Sequence, residues 1–220
     1  MLFPSRQAPE DRKNQYDFYS PVYNIIFKPF FNFGRRTSIS RMNIKPGHIV
    51  LELGCGTGAS FKHFTPFFRT YKQAGTYLVG MDLSFGMLKQ AKNLVESKDI
   101  NFTGLTCCDG RILPFQDGTF NSVFAAYTFS VIPNPGVALK EILRVCKPGA
   151  KIVFLNHLKS RNKIISRIEE MVDPLVQNFG WQTKDDLREV IKSNDICDFT
   201  EETLKTNPIF KIVCFRKPSR

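Results

Sequence analysis

The nine residues Val50-Leu51-Glu52-Leu53-Gly54-Cys55-Gly56-Thr57-Gly58 constrain this chain more than any other stretch. An apolar, strand-like run enters a loop with glycine at every second position, and a helix-capable segment follows. Glycine has no Cβ, so the backbone there can turn sharply and lie close against a ligand. Dinucleotide sites favour G-x-G-x-x-G, with a pyrophosphate at a helix N-terminus. Here the glycines fall at 54, 56 and 58, and Glu52 stands two residues before the first. An acidic side chain beside the loop suits a ligand with a cationic or amine end better than one with two phosphates.

Downstream, strands and helices alternate. The pattern predicts a first strand over His48–Leu53, a helix over Ala59–Tyr71 with its aromatic residues toward a sheet, and a second strand over Tyr77–Met81 ending at Asp82. Ser84 reads as the N-cap of a helix through Val95. Asp82, at the end of that strand, is placed to accept hydrogen bonds from a ribose diol, each worth roughly 1.5 to 3 kcal/mol when charge-assisted. A third strand over 101–109 delivers Asp109, an acceptor for the exocyclic amine of adenine. The near-continuous apolar run Phe120–Thr128 suits a strand buried on both faces, with Tyr127 at its carboxyl end beside the crevice. A helix over Val137–Cys146, closed by Lys147-Pro148-Gly149, leads to a fifth strand, Lys151–Leu155, which brings Asn156 and His157 to the same edge. Ile209–Phe215 reads as a final edge or hairpin strand. Such alternation implies a doubly wound, mostly parallel sheet.

At 220 residues and 42% hydrophobic, the chain forms one sizeable core and a single domain. The formal charge of +11 implies attraction to polyanions: nucleic acid, an anionic membrane surface or phosphorylated substrates. Six cysteines, at 55, 107, 108, 146, 197 and 214, form no C-x-x-C pair; they read as reduced core thiols of a cytoplasmic protein, with no disulfide framework and no metal. Met1–Lys13 lacks the apolar centre of a secretory signal, and no apolar run reaches the ~18 residues of a membrane span. Any membrane contact is then peripheral.

Two segments carry the charge. Between Glu10 and Lys45, the aromatic residues Tyr16, Tyr19, Tyr23 and Phe27 follow helical spacing among Lys28, Arg35, Arg36 and other basic residues. This segment, residues 1–45, reads as helices that pack on the core or lie at a bilayer surface as a lid, ahead of a catalytic domain over 46–220. Leu158–Gly180 reads as a second amphipathic helix, whose first half carries Lys159, Arg161, Lys163 and Arg167 against the helix dipole.

The motifs E-L-G-C-G-T-G, M-D-L-S, C-D-G-R-I-L-P-F and L-K-E-I-L-R-V-C-K-P-G-A, in that order across residues 45–157, resemble those of class I S-adenosylmethionine (SAM) methyltransferases. The resemblance implies a Rossmann-like seven-stranded sheet, mostly parallel with an antiparallel last strand. It implies SAM as cofactor, held by Glu52, Gly54, Cys55, Gly56, Thr57, Gly58, Asp82, Leu83, Asp109, Gly110 and Tyr127. A finer likeness lies in Y-D-F-Y-S-P-V-Y-N at 16–24, V-I-P-N-P at 131–135 and F-L-N-H-L at 154–158, which are similar to the small soluble bacterial phosphatidylethanolamine N-methyltransferases. Asn24 stands where that family usually has Asp. Quinone-pathway C-methyltransferases share the core and a related opening motif and are the nearest alternative. An RNA methyltransferase or a non-catalytic SAM-binding module is a further one, although no N-P-P-Y/F-type motif is present.

The lipid reading implies a monomer at the inner face of the cytoplasmic membrane, acting on a phospholipid and not on nucleic acid. Tyr19, Tyr127 and His157 then line the acceptor pocket, and Lys28, Arg35, Arg36 and Arg161 hold the lipid phosphate.

Overall fold

The structure, a computed structural model, describes residues 32–158, 187–196, 198–204 and 210–219. Tyr19, Lys28 and Arg161, the N-terminal aromatic stretch and the amphipathic segment after Leu158 therefore lie outside the described residues.

Among the described residues the chain is helical over 32–40 (α1) and then runs β1 (Ile49–Leu53), α2 (Phe61–Thr70), β2 (Tyr77–Asp82), α3 (Phe85–Ser97), β3 (Thr103–Cys107) and β4 (Phe120–Ala126). It continues through α4 (Pro135–Val145), β5 (Cys146–His157), α5 (Leu187–Lys192), β6 (Phe199–Thr203) and β7 (Phe210–Arg216). The seven strands make one sheet in the order β3-β2-β1-β4-β5-β7-β6. β1 to β5 pair in parallel, and only β7 runs against its neighbours, inserted between β5 and β6. The expected antiparallel last strand is thus present, as part of a hairpin in the sheet's interior and not at its edge. β6, which occupies that edge, was not anticipated.

Alternation along the strands sorts the core into two layers. Val50, Leu78, Phe124, Val153 and Leu155 face α1, α2 and α3, while Leu51, Leu53, Val123, Ala125 and Phe154 face α4 and α5. On the first side α2 lays down Phe61, Phe64 and Phe68, all fully buried, with Phe64 edge-on to Phe124 and Phe68 stacked on Phe102. α1 adds Ile39, and Met42 and Ile44 follow it into the same core. Ser84 caps α3 as the sequence predicts, accepting from the Met87 amide at 3.1 Å.

Two expectations change. Lys147-Pro148-Gly149 does not lie between α4 and the fifth strand; it is the start of β5, which begins at Cys146. There Cys146 pairs with Phe120 and Lys151 with Ser122, so four residues of β5 bulge opposite Asn121. Nor are all the cysteines core thiols: Cys107, the last residue of β3, is exposed.

Candidate active site

The strand order reverses direction of growth between β1 and β4, and open α/β sheets bind ligands outside the carboxyl ends of the strands at such a point. The glycine loop leaves β1 there. All three of its glycines adopt positive φ, at 69°, 55° and 79°. A Cβ on Gly54 would meet Thr128 Oγ1 at 2.4 Å, so that glycine is required by packing against the segment after β4. A Cβ on Gly56 would meet nothing within 4 Å: this glycine borders open space, the close approach that a ligand needs.

Asp82 fastens the loop to β2. Its Oδ2 accepts from the Gly56 amide at 2.8 Å and its Oδ1 from the Ser84 amide at 2.9 Å, while the Cys55 amide donates to the Met81 carbonyl. Leu83, next in sequence, is 38% exposed beside it. Asp109 is less available than the sequence suggests. Arg111 holds both its oxygens, the nearest at 2.6 Å, and lowers its pKa below the usual carboxylate range. Arg111 is a site-edge residue that sequence reasoning missed, although it stands inside the C-D-G-R motif. The loop that carries the pair is clasped by α4: Glu141 accepts from the Leu113 amide, and Arg144 donates to the carbonyls of Leu113 and Phe115. Two of the four sequence motifs are therefore halves of one contact.

Glu52 lies on the α1–α2–α3 side of the sheet, at the root of the loop, and is buried. Its Oε2 has no hydrogen-bond partner among the described residues. Burial raises its pKa to about 8, against the lowering effects of the Ser60 hydroxyl and of Arg35. A buried carboxyl with one oxygen unsatisfied, beside a glycine bordering open space, fits a ligand that brings a cationic amine.

Tyr127 closes the other side. It is buried, its φ is 62°, and its amide donates to the Leu155 carbonyl at 2.6 Å. A left-handed, non-glycine residue costs of order 1–3 kcal/mol and marks functional sites disproportionately. Its ring meets Phe210 edge-on at 4.9 Å, and the Arg35 guanidinium lies 5.1 Å from its centroid. His157 also meets Phe210, edge-on with ring centroids 6.5 Å apart. Asn156 reaches the same edge but points to the opposite face, where the Ser130 hydroxyl donates to its Oδ1 at 3.4 Å. Arg35 and Arg36 do not form one surface pair, because successive helical positions diverge: Arg35 is buried over Tyr127, whereas Arg36 is exposed. Both act, with Lys62, on His63, whose pKa is pushed down to about 4 by burial first and then by these cations. His63 had no distinguishing signal in the sequence.

A family profile described as a methyltransferase domain matches residues 51–154, the span from β1 through most of β5. The chain thus carries a methyltransferase domain and has the fold of class I SAM-dependent methyltransferases, with SAM as the cofactor. It is 28% identical over 193 residues to a phosphatidylethanolamine N-methyltransferase of Cereibacter sphaeroides, an alignment that covers 87% of this chain and 84% of the relative. It is 32% identical over 153 residues to a demethylmenaquinone methyltransferase of Paenarthrobacter aurescens, covering 67% of this chain and 55% of that one. Among solved structures, Haemonchus contortus phospholethanolamine N-methyltransferase 2, in complex with phosphomonomethylethanolamine and S-adenosylhomocysteine, superposes with a TM-score of 0.69 at 22% identity, over 91% of this chain and 47% of that one. The [4+2]-cyclase SpnF superposes with a TM-score of 0.75 at 16% identity, over 99% and 98%. The fold thus accommodates more than one reaction, and the acceptor is decided by side chains around the crevice.

SAM when bound supplies an electrophilic methyl group on sulfur. This chain's own part is to hold and orient. The Gly54–Gly58 loop would give the cofactor backbone access, Asp82 would offer carboxylate oxygens beside Asp109, whose own are held by Arg111, and Glu52 would offer a carboxyl for an amine.

Proposed function

We propose that this enzyme methylates the ethanolamine amine of phosphatidylethanolamine, successively toward phosphatidylcholine, while docked peripherally at the inner face of the cytoplasmic membrane. The observation that carries the proposal is the reach of the alignment: likeness to the bacterial phosphatidylethanolamine enzyme extends over 87% of this chain, well beyond the common core at 51–154. The crevice chemistry supports it. Tyr127, Phe210 and His157 form an aromatic wall, and an amine that gains methyl groups becomes a quaternary ammonium attracted to aromatic faces. Arg35, Arg36 and Lys62 make the adjoining potential positive, which suits the headgroup phosphate. SAM would supply the methyl group to the amine's lone pair, and the proton that the amine sheds would leave to solvent or a neighbouring base. No helix among the described residues is long and apolar enough to cross a membrane.

A quinone-pathway C-methyltransferase is the second reading, favoured by relatives of that kind at 30–34% identity over about half to two thirds of this chain. Incubation with methyl-labelled SAM and a total lipid extract, followed by lipid chromatography, separates the two. Labelled mono-, di- and trimethylated ethanolamine lipids are expected. A labelled quinone with unlabelled phospholipid would overturn the proposal.

A further inference from the structure

The edge of the sheet opposite the crevice carries a second concavity. It is a cleft of about 250 Å³ at the amino ends of β1, β4 and β5 and the carboxyl end of β7, and its polar walls include Lys45, His48, Asn121, Lys147, Lys151 and Arg216. We propose that this cleft is a binding site for a phosphate group, separate from the methyl-transfer crevice.

Four cations and no carboxylate line it. They arrive from separate places in the fold: Lys45 precedes β1, Lys147 opens the bulge in β5 and Lys151 follows it, and Arg216 ends β7. Gathering like charges costs stability, so such a cluster calls for a counter-charge. Neither Lys45 nor Lys151 forms an ion pair among the described residues. The neighbouring groups are spent in holding the walls. Asn121 Oδ1 accepts from the Ile49 amide at 2.9 Å and from Lys147 Nζ at 3.2 Å, which leaves its amide nitrogen as a donor. Arg216 donates to the carbonyl of Gly149, a residue at φ 73° with open space where a Cβ would stand.

The bulge that shapes the cleft sets four residues of β5 against Asn121, and such interruptions re-aim side chains at functional sites. His48 Nδ1 is buried without a hydrogen-bond partner among the described residues, and burial, then Lys45 and Lys147, lower the ring's pKa. The cleft's size admits a phosphate with a small organic body. β1 separates it from the glycine loop by about 17 Å, so occupation does not obstruct the cofactor.

The chain has three histidines, at 48, 63 and 157, which makes ring-proton NMR a site-resolved test. Inorganic phosphate titrated at constant ionic strength should shift His48 saturably, with a midpoint that the cleft variants below move while leaving any response of His63, among the cations of the crevice, in place. Lys147→Gln with Lys151→Gln should weaken that affinity about tenfold or more, with SAM affinity unchanged. Lys151→Gln alone, at a side chain with no hydrogen bond among the described residues, should weaken it less and guards against a folding defect. In a parallel arm, the protein is sedimented with vesicles of phosphatidylglycerol in phosphatidylcholine. Vesicle binding that Lys151→Gln weakens, without a response to inorganic phosphate, would support a lipid headgroup as the source. No saturable response in either arm, or an equal response in the variants, would overturn the proposal.

Discussion

The amide of Gly56 donates to Oδ2 of Asp82 across 2.8 Å, so the carboxylate that ends β2 also sets the curvature of the glycine loop. Asp82→Ala removes both the ligand's acceptor and the partner of two backbone amides. SAM affinity by calorimetry should fall about 100-fold or more, in line with losing two charge-assisted hydrogen bonds and the loop's anchor. Unchanged affinity would remove Asp82 from the site.

Glu52 links cofactor binding to pH. With its pKa raised to about 8, it is protonated at neutral pH in the ligand-free enzyme. A cationic amine beside it favours the carboxylate, so binding releases a proton. SAM affinity should therefore rise with pH up to about 8 and flatten above it. Glu52→Gln should lose this component and keep only the ligand's own titration, a comparison that calorimetry in buffers of different ionisation enthalpy can make. Stability runs the other way. A folded pKa above the reference value of 4.5 means that stability is fully present below about 4.5 and declines as pH climbs to about 8. Glu52→Gln should flatten that decline in urea titrations.

Arg35 and Tyr127 should prove coupled. A guanidinium over an aromatic ring contributes about 0.5–2 kcal/mol, more when desolvated, and Arg35 is 9% exposed. A double-mutant cycle with Arg35→Met and Tyr127→Leu, read by urea unfolding, should return a coupling energy of about 1 kcal/mol. Arg35→Lys should not rescue it, because an ammonium lacks the planar stacking surface. Additive single effects would contradict the contact.

At the other end of the sheet, Glu201 accepts from Arg188 at 2.7 Å and from Lys211 at 2.8 Å, tying α5, β6 and β7 together. The pair of cations pulls its pKa to about 2, so its contribution is present above the reference value of 4.5 and is lost as pH falls toward 2. Glu201→Gln leaves two cations, 8% and 7% exposed, without that carboxylate. A loss of about 3 kcal/mol or more in unfolding free energy at pH 7 is expected. A change below about 0.5 kcal/mol would show that other groups carry the hairpin.

The alternating core was legible because its signals are local. Gly54, Gly56 and Gly58 announce a loop, Ser84 a cap, and Phe120–Ala126 a doubly buried strand, each from a few adjacent residues. β6 was hidden for the opposite reason. Phe-Thr-Glu-Glu-Thr has no alternating apolar face, and its strand character comes from β7 and from distant cations that donate to its carboxylates. Tertiary contact likewise decided the roles of Arg35, Arg111 and His63: whether a cation meets a ring, a carboxylate or another cation depends on segments remote in sequence. In β5 the Lys-Pro-Gly signal was read as a helix stop, and a bulge uses the same residues to keep pairing while turning.

A sheet must end somewhere, and the peptide groups along its last strand can recruit a strand from another molecule. β6 answers with adjacent glutamates, one on each face. Glu201 is engaged by Arg188 and Lys211, and Glu202 receives a bidentate pair from Arg41 at 3.0 and 2.9 Å. An incoming strand would have to accommodate charge on both faces and displace the residue that follows α1. The border that holds the N-terminal helix in place thus also guards this chain against edge-to-edge aggregation.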